Sequence, residues 1–221
     1  SNNDVQMKQL VSEKLSAYGF EHVWHDTVCE MIRNVLEVPI EEVEKDFTLS
    51  RILNSSRINE LEFYFPLKEI SKEVLQNIFL KYGNRNLQKD FPPLIGNLTF
   101  SMVKGFMKGF IDLVFYYNGR FYLVDWKSNL LGSDPENYRQ ENLLPAMQYD
   151  FYILQYHIYV LALHHYLALR VPGYRYEQHF GGVYYIFLRG VNSDMGPGYG
   201  IYRDVPSLEL IQEMSRKLLG E

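Results

Sequence analysis

The sequence predicts an α/β fold in which a central sheet is covered on both sides by helices. Two apolar, β-branched and aromatic runs between Lys108 and Asn129 flank Asn118-Gly119, the strongest short-range signal for a β-hairpin. Both faces of that hairpin are largely apolar, the pattern of strands buried in the middle of a sheet. The apolar stretch Phe151 to Leu169 is interrupted by Gln155, His157, His164 and His165. A bilayer tolerates such residues poorly, so this stretch reads as a buried helix rather than a membrane span.

The remaining elements follow in order. Met7 to Tyr18 and His22 to Leu36 read as helices separated by Gly19, a C-cap. Glu41, Glu42 and Glu44 lie on a solvated face. Ile58 to Leu67 reads as a strand that closes at Pro66, and Ser71 to Lys81 as a helix with Ser71 as N-cap. Asn and Gly residues with Pro92-Pro93 make Tyr82 to Gly96 a loop. After Gly132 comes a polar loop, then one long helix from about Pro145 to Leu169. Gly181-Gly182 leads into a strand, Val183 to Leu188, followed by a short strand near Ile201. Pro206 opens a last amphipathic helix that runs to Leu219. We take residues 1–221 as a single domain, with a helical N-terminal region over residues 1–57, a core of about 58–205 and a C-terminal helix 206–219.

Composition narrows the function classes. Hydrophobic residues make up 47% of 221, enough for a substantial core and too many for wholesale disorder. The 18 Tyr and 14 Phe read first as a Tyr-rich core or protein interface, with base stacking as the alternative. A formal net charge of −5 gives no overall basic field, so a polyanion would be gripped through a local patch, a metal or a partner. The single cysteine, Cys29, excludes an internal disulfide and a Cys-rich zinc site and fits a reducing, cytoplasmic setting. Ser1-Asn2-Asn3-Asp4 carries neither a basic nor an apolar signal-peptide region. There is no phosphate-loop motif, so the chain alone is not expected to hydrolyse ATP.

The chemistry concentrates on the hairpin. With Asn118 and Gly119 as its loop, Tyr117 faces Arg120, and the same register sets Asp112 directly opposite Asp125. Phe110, Asp112 and Val114 share a face with Leu123, Asp125 and Lys127. Ile111, Leu113, Phe115, Val124 and Trp126 take the other. Like charges held opposite one another are destabilising, so two carboxylates in apolar surroundings need a counter-charge or a shared proton. A divalent cation between them is the simplest remedy, and Lys127 lies one diagonal away from Asp112. Oxygen ligands so arranged favour Mg²⁺ and suit phosphodiester hydrolysis. Gln155 and Tyr159, four apart on the long helix, share a face and could hold a phosphate backbone. His157, His164 and His165 read as helix-face or surface residues. His22 and His25 are spaced as ligands could be, but with no matching third group nearby they are read as structural.

Gly109-Phe110-Ile111-Asp112, then Asp125-Trp126-Lys127-Ser128-Asn129, then Gln155-x-x-x-Tyr159 resembles the signature of the RecB-type nucleases of the PD-(D/E)xK superfamily. The likeness extends through His179-Phe180-Gly181-Gly182-Val183, Leu188-Arg189-Gly190-Val191 and Glu60-Leu61-Glu62-Phe63-Tyr64 to nearly the whole chain. It implies a restriction-endonuclease-like core, a mixed sheet between helices, with the metal at one end of the central hairpin. Asp112, Asp125 and the backbone carbonyl of Trp126 would be metal ligands, Asp125 and Lys127 the active-site pair, and Gln155 and Tyr159 the phosphate-positioning element. One Mg²⁺ ion or two would be the cofactor. The family also contributes a histidine ligand from a helix preceding this region. Neither His22 nor His25 sits in its motif, so metal affinity and activity of this chain are expected to be reduced.

By that resemblance the chain is the nuclease domain of a helicase–nuclease that acts at double-strand DNA ends in recombinational repair. Its partners would be DNA, attached helicase domains, and RecC-like and RecD-like subunits, with no membrane involved. Two alternatives are a docking module without activity and a stand-alone PD-(D/E)xK nuclease.

Overall fold

The computed structural model describes residues 2–98 and 103–220. The chain forms two compact units that interleave in sequence. The smaller takes Ser1–Arg51, Lys127–Gln140 and Ile186–Ile201, and the larger takes Ile52–Trp126, Glu141–Tyr185 and Tyr202–Glu221. Among the described residues no helix is long and apolar enough to cross a membrane.

A five-stranded mixed sheet belongs mainly to the larger unit, with strands β1 (Arg57–Ile70), β2 (Val103–Tyr117), β3 (Arg120–Lys127), β4 (Phe180–Phe187) and β5 (Ile201–Asp204) adjacent in chain order. The hairpin is β2–β3. Asn118 (φ 46°) and Gly119 (φ 82°) both take left-handed backbone, whose twist matches that of the flanking strands. The register is the expected one, from Tyr117↔Arg120 to Leu113↔Val124. β3 is central, and Tyr122, Leu123, Val124 and Asp125 are all buried.

Helices α3 (Lys72–Tyr82), α4 (Arg85–Gly96), α6 (Tyr152–Arg170) and α8 (Leu208–Met214) pack within the same unit. Aromatic rings join α6 to the sheet: Tyr156 meets Tyr185 at 5.8 Å and Tyr202 at 6.3 Å, and Tyr159 meets Phe63 at 5.6 Å. Phe79 of α3 sets its edge against Phe91 of α4 and His157 of α6. Part of the tyrosine surplus is core material: Tyr156, Tyr184 and Tyr185 are fully buried, while Tyr18, Tyr64, Tyr116 and Tyr149 are exposed. Buried hydroxyls need partners, and Tyr156 donates to Asp204 Oδ2 at 2.6 Å while Tyr176 donates to the Pro206 carbonyl at 2.8 Å.

Four expectations are corrected. β1 does not close at Pro66 but pairs through it, Pro66↔Phe106; β1 is an edge strand, where a sheet tolerates proline. Residues 85–96 form helix α4 rather than a loop. Asn84 Oδ1 caps it by accepting from Leu87 N (3.1 Å), and Leu87, Phe91 and Ile95 recur every four residues and are buried. Each such burial contributes about 1.5–3 kcal/mol, against the roughly 3 kcal/mol that an interior proline costs a helix. The long helix is two, α5 (Gln140–Tyr149) and α6, broken where Phe151 turns left-handed (φ 56°) with its ring against Phe91. β4 begins at Phe180, directly after the single-turn helix α7 (Tyr176–His179).

The smaller unit contains α1 (Asn2–Ala17) and α2 (His25–Glu37) with the two later segments. Asn34 Oδ1 accepts from both the amide (3.3 Å) and the hydroxyl (2.9 Å) of Ser193. Tyr138 is buried, accepts from Leu131 N and donates to the Asn129 carbonyl. Cys29 is a buried free thiol.

Two glycines separate backbone strain from packing. A Cβ on Gly119 meets nothing within 4 Å, so Gly119→Ala should lose only the roughly 1–2 kcal/mol of left-handed strain. Gly119→Asn should recover most of it, because Asn tolerates that conformation. A Cβ on Gly181 strikes the Tyr122 ring, stacked on Phe115 at 5.1 Å, so Gly181→Ala should cost about 1–3 kcal/mol by overpacking. Urea unfolding of the three variants checks both.

His157 carries a second expectation. It is 1% exposed and bonded to the Ile153 carbonyl at 2.7 Å. Burial pushes its imidazole down to about 4, with the charge of Asp204 and the bond to the Ile153 carbonyl acting the other way. The native state thus holds it neutral while the unfolded chain protonates near 6.5. Stability should fall as pH drops from about 6.5 towards 4, by up to roughly 1.4 kcal/mol per pH unit. His157→Gln should remove that slope in unfolding curves measured across the window.

Candidate active site

The β2–β3 ladder stops one pair short of the acids. Its last pair is Leu113↔Val124, and the next positions are Asp112 and Asp125. Past that pair, Asp112 Oδ2 accepts a hydrogen bond from the Trp126 amide at 2.9 Å. The carboxylate thus meets the positive end of a peptide dipole on the facing strand. On its other side the β1–β2 register runs from Asn59↔Leu113 to Leu61↔Ile111 and skips Glu60, which takes φ 53°. Regular pairing is therefore interrupted on both sides of Asp112. A left-handed residue other than glycine or asparagine leaves no mark in a sequence, so the break at Glu60 was unreadable there.

Burial differs across the hairpin acids and their lysine. Asp125 is 4% exposed, Lys127 8%, and Asp112 is half-buried. Lys127 is the last residue of β3, two beyond Asp125, and strand alternation sends both to one side. It also opens a segment of the smaller unit, where its carbonyl accepts from Leu188 N at 2.9 Å.

From α6, Gln155 and Tyr159 meet as their spacing predicts, Gln155 Nε2 donating to the Tyr159 hydroxyl at 2.9 Å. A residue that the sequence did not single out joins them: Tyr185 of β4 donates to Gln155 Oε1, also at 2.9 Å. Burial first, then the charges of Asp125 and Asp112, push the Tyr159 hydroxyl up to about 12 despite its bond with Gln155. Tyr185 is pushed well above the usual range by burial, then by Asp125, with Tyr159 and Asp112 after it. Both acids thus bear on both phenols, and five side chains of the larger unit converge. In sequence Tyr185 reads as one more core aromatic of a strand, and nothing marks it as polar in role.

Asp112 and Asp125 offer hard oxygen donors, with one Asp112 oxygen engaged by the Trp126 amide. Among the described residues no three His, Cys, Asp or Glu side chains are grouped to hold a metal ion. Two carboxylates nevertheless suit Mg²⁺, which is commonly held by one or two carboxylates and completes its shell with water. His157 is buried in the core rather than at the surface, and the other candidate histidines have these neighbours. His25 bonds Asp26 (2.9 Å) and the Lys8 carbonyl (3.1 Å) and stacks on His22, while His165 meets Ser215 and His164 meets Tyr174.

Asp112→Ala should release the Trp126 amide, and its hydrogen exchange should accelerate while the amides of the Leu113↔Val124 pair stay protected. Asp112→Asn, which keeps an acceptor, should preserve most of that protection.

No family model matches the chain. Three curated relatives match it over nearly its full length. It is 42% identical over 211 residues to RecBCD enzyme subunit RecB of Escherichia coli (strain K12), which covers 95% of this chain and 17% of the relative. The RecB subunit of Haemophilus influenzae is 40% identical over 212 residues, 96% of this chain and 17% of the relative. That of Buchnera aphidicola subsp. Schizaphis graminum is 34% identical over 210 residues, 93% and 16% respectively. The chain spans about a sixth of the length of the relatives it matches. Related to one segment of that subunit from end to end, it belongs to the RecB family.

Proposed function

We propose that the chain is the nuclease module of a RecB-type helicase–nuclease and hydrolyses DNA phosphodiester bonds with Mg²⁺ held at Asp112 and Asp125. The observation that carries this reading is the opening of the ladder at those two acids, beside a donor chain from α6 and β4. In this reading Asp112, Asp125 and the Trp126 carbonyl hold the ion. Bound there, Mg²⁺ supplies polarisation of the phosphate and a more acidic water. Lys127, held at the end of β3, stabilises charge developing on the phosphate. Gln155 and Tyr159 position the DNA backbone. The acidic net charge means that DNA is delivered by attached helicase domains and by RecC-like and RecD-like partners rather than gathered by this surface.

A second reading, docking without catalysis, draws on the smaller unit, where Tyr18, Phe20, Val23 and Trp24 are each more than half exposed. Cleavage of a labelled single-stranded DNA separates the two. The nuclease reading expects cutting that requires Mg²⁺, disappears in Asp125→Ala and Asp112→Ala, and falls by about 10²–10³ in Lys127→Ala. Circular dichroism should find all three variants folded. A folded wild-type chain that leaves DNA intact at high Mg²⁺, alone and with its partner subunits, would favour docking.

A further inference from the structure

Three side chains from two elements form a directed run of hydrogen bonds beside the acids: Tyr185 to Gln155 Oε1, then Gln155 Nε2 to Tyr159, each 2.9 Å. An amide between two hydroxyls can be placed in two ways. In the reverse arrangement Tyr159 would donate to Oε1, and its lone pairs would be left to face its surroundings. Those surroundings include Asp125 and Asp112, whose charges act on the Tyr159 hydroxyl. Negative charge favours an O–H dipole turned towards it, so the acids select the observed direction. Tyr159 then accepts from Gln155 and keeps its own proton for donation.

Tyr185 supports the same direction from the other end of the amide. Its side chain is fully buried in inner strand β4, its ring against Tyr152 and Tyr156 at 5.8 Å each. The hydroxyl is thus fixed by packing on a rigid element, as a group that orients another must be. By donating to Oε1 it keeps Nε2 turned towards Tyr159.

We propose that Tyr185 is a positioning residue of this site: by donating to Gln155 it aims the amide at Tyr159, and so presents the Tyr159 O–H as a donor to a phosphate oxygen of the bound strand. The role at the phosphate rests on the nuclease reading above. The hydrogen-bond order does not, and the two can be tested apart.

Tyr185→Phe removes one oxygen and keeps the ring. In side-chain amide NMR of the full chain, without metal or DNA, the two Gln155 Nε2 protons of the wild type should be separate and slow to exchange with water. In Tyr185→Phe they should exchange faster and move towards one another, while the thermal midpoint changes little. In Mg²⁺-dependent cleavage of single-stranded DNA, Tyr185→Phe should lower kcat/KM by about 10–100-fold, the usual cost of losing an orienting partner. The same substitution made in a Gln155→Ala background should cost nothing further. Unchanged Gln155 signals in Tyr185→Phe would overturn the proposal whatever the cleavage result. An equal loss in both backgrounds would also overturn it, since Tyr185 would then act through packing. A wild type that shows the ordered amide but never cuts DNA would sink the nuclease reading, and with it the role at the phosphate.

Discussion

Two carboxylates cannot stand face to face in the covered interior of a sheet without something to absorb their charge, and the region around Asp112 is arranged by that constraint. Continuing the ladder by one more pair would bring the acids to the closest approach an antiparallel sheet allows. The pairing ends first, and Asp112 turns to the Trp126 amide. Because β3 remains a strand to Lys127, the facing backbone stays rigid while β2 loses its partner. Glu60 takes a strained conformation at the same level of β1, so three strands share the interruption. Departures of this kind are expected where an arrangement serves something other than stability.

The helical side of the site depends on how α6 meets the sheet. Its tyrosines act both as core and as polar groups, Tyr156 filling the interior while its hydroxyl reaches Asp204, and Tyr159 setting its ring against Phe63 while its hydroxyl accepts from Gln155. Aromatic rings with few rotatable bonds make such placement inexpensive in entropy. The break at Phe151 lets α5 and α6 follow different axes, so the direction of α6 answers to its own contacts with β1, β4 and β5.

Much of this was readable because the signals were local. Asn118-Gly119 determines the turn, the turn determines the register, and the register puts Asp112 and Asp125 at one level. The four-residue spacing of Gln155 and Tyr159 likewise suffices for their hydrogen bond. What escaped depends on tertiary context. Pro92 and Pro93 look like loop punctuation until the buried row Leu87, Phe91 and Ile95 outweighs them. Pro66 ends a strand only if that strand is internal, and edge position is decided by the whole sheet. Tyr185 contributes through a partner 30 residues away, and the ladder yields at Asp112 through electrostatics that no propensity contains.

The edge position of β1 also bears on how the molecule behaves among its own copies. A long outer strand offers unpaired peptide groups as a template for further strands, the usual start of aggregation. Glu62, exposed and joined to Lys108 at 2.6 Å, puts charge on that edge strand. Charge held at the edge of β1 thus works against the recruitment of another chain.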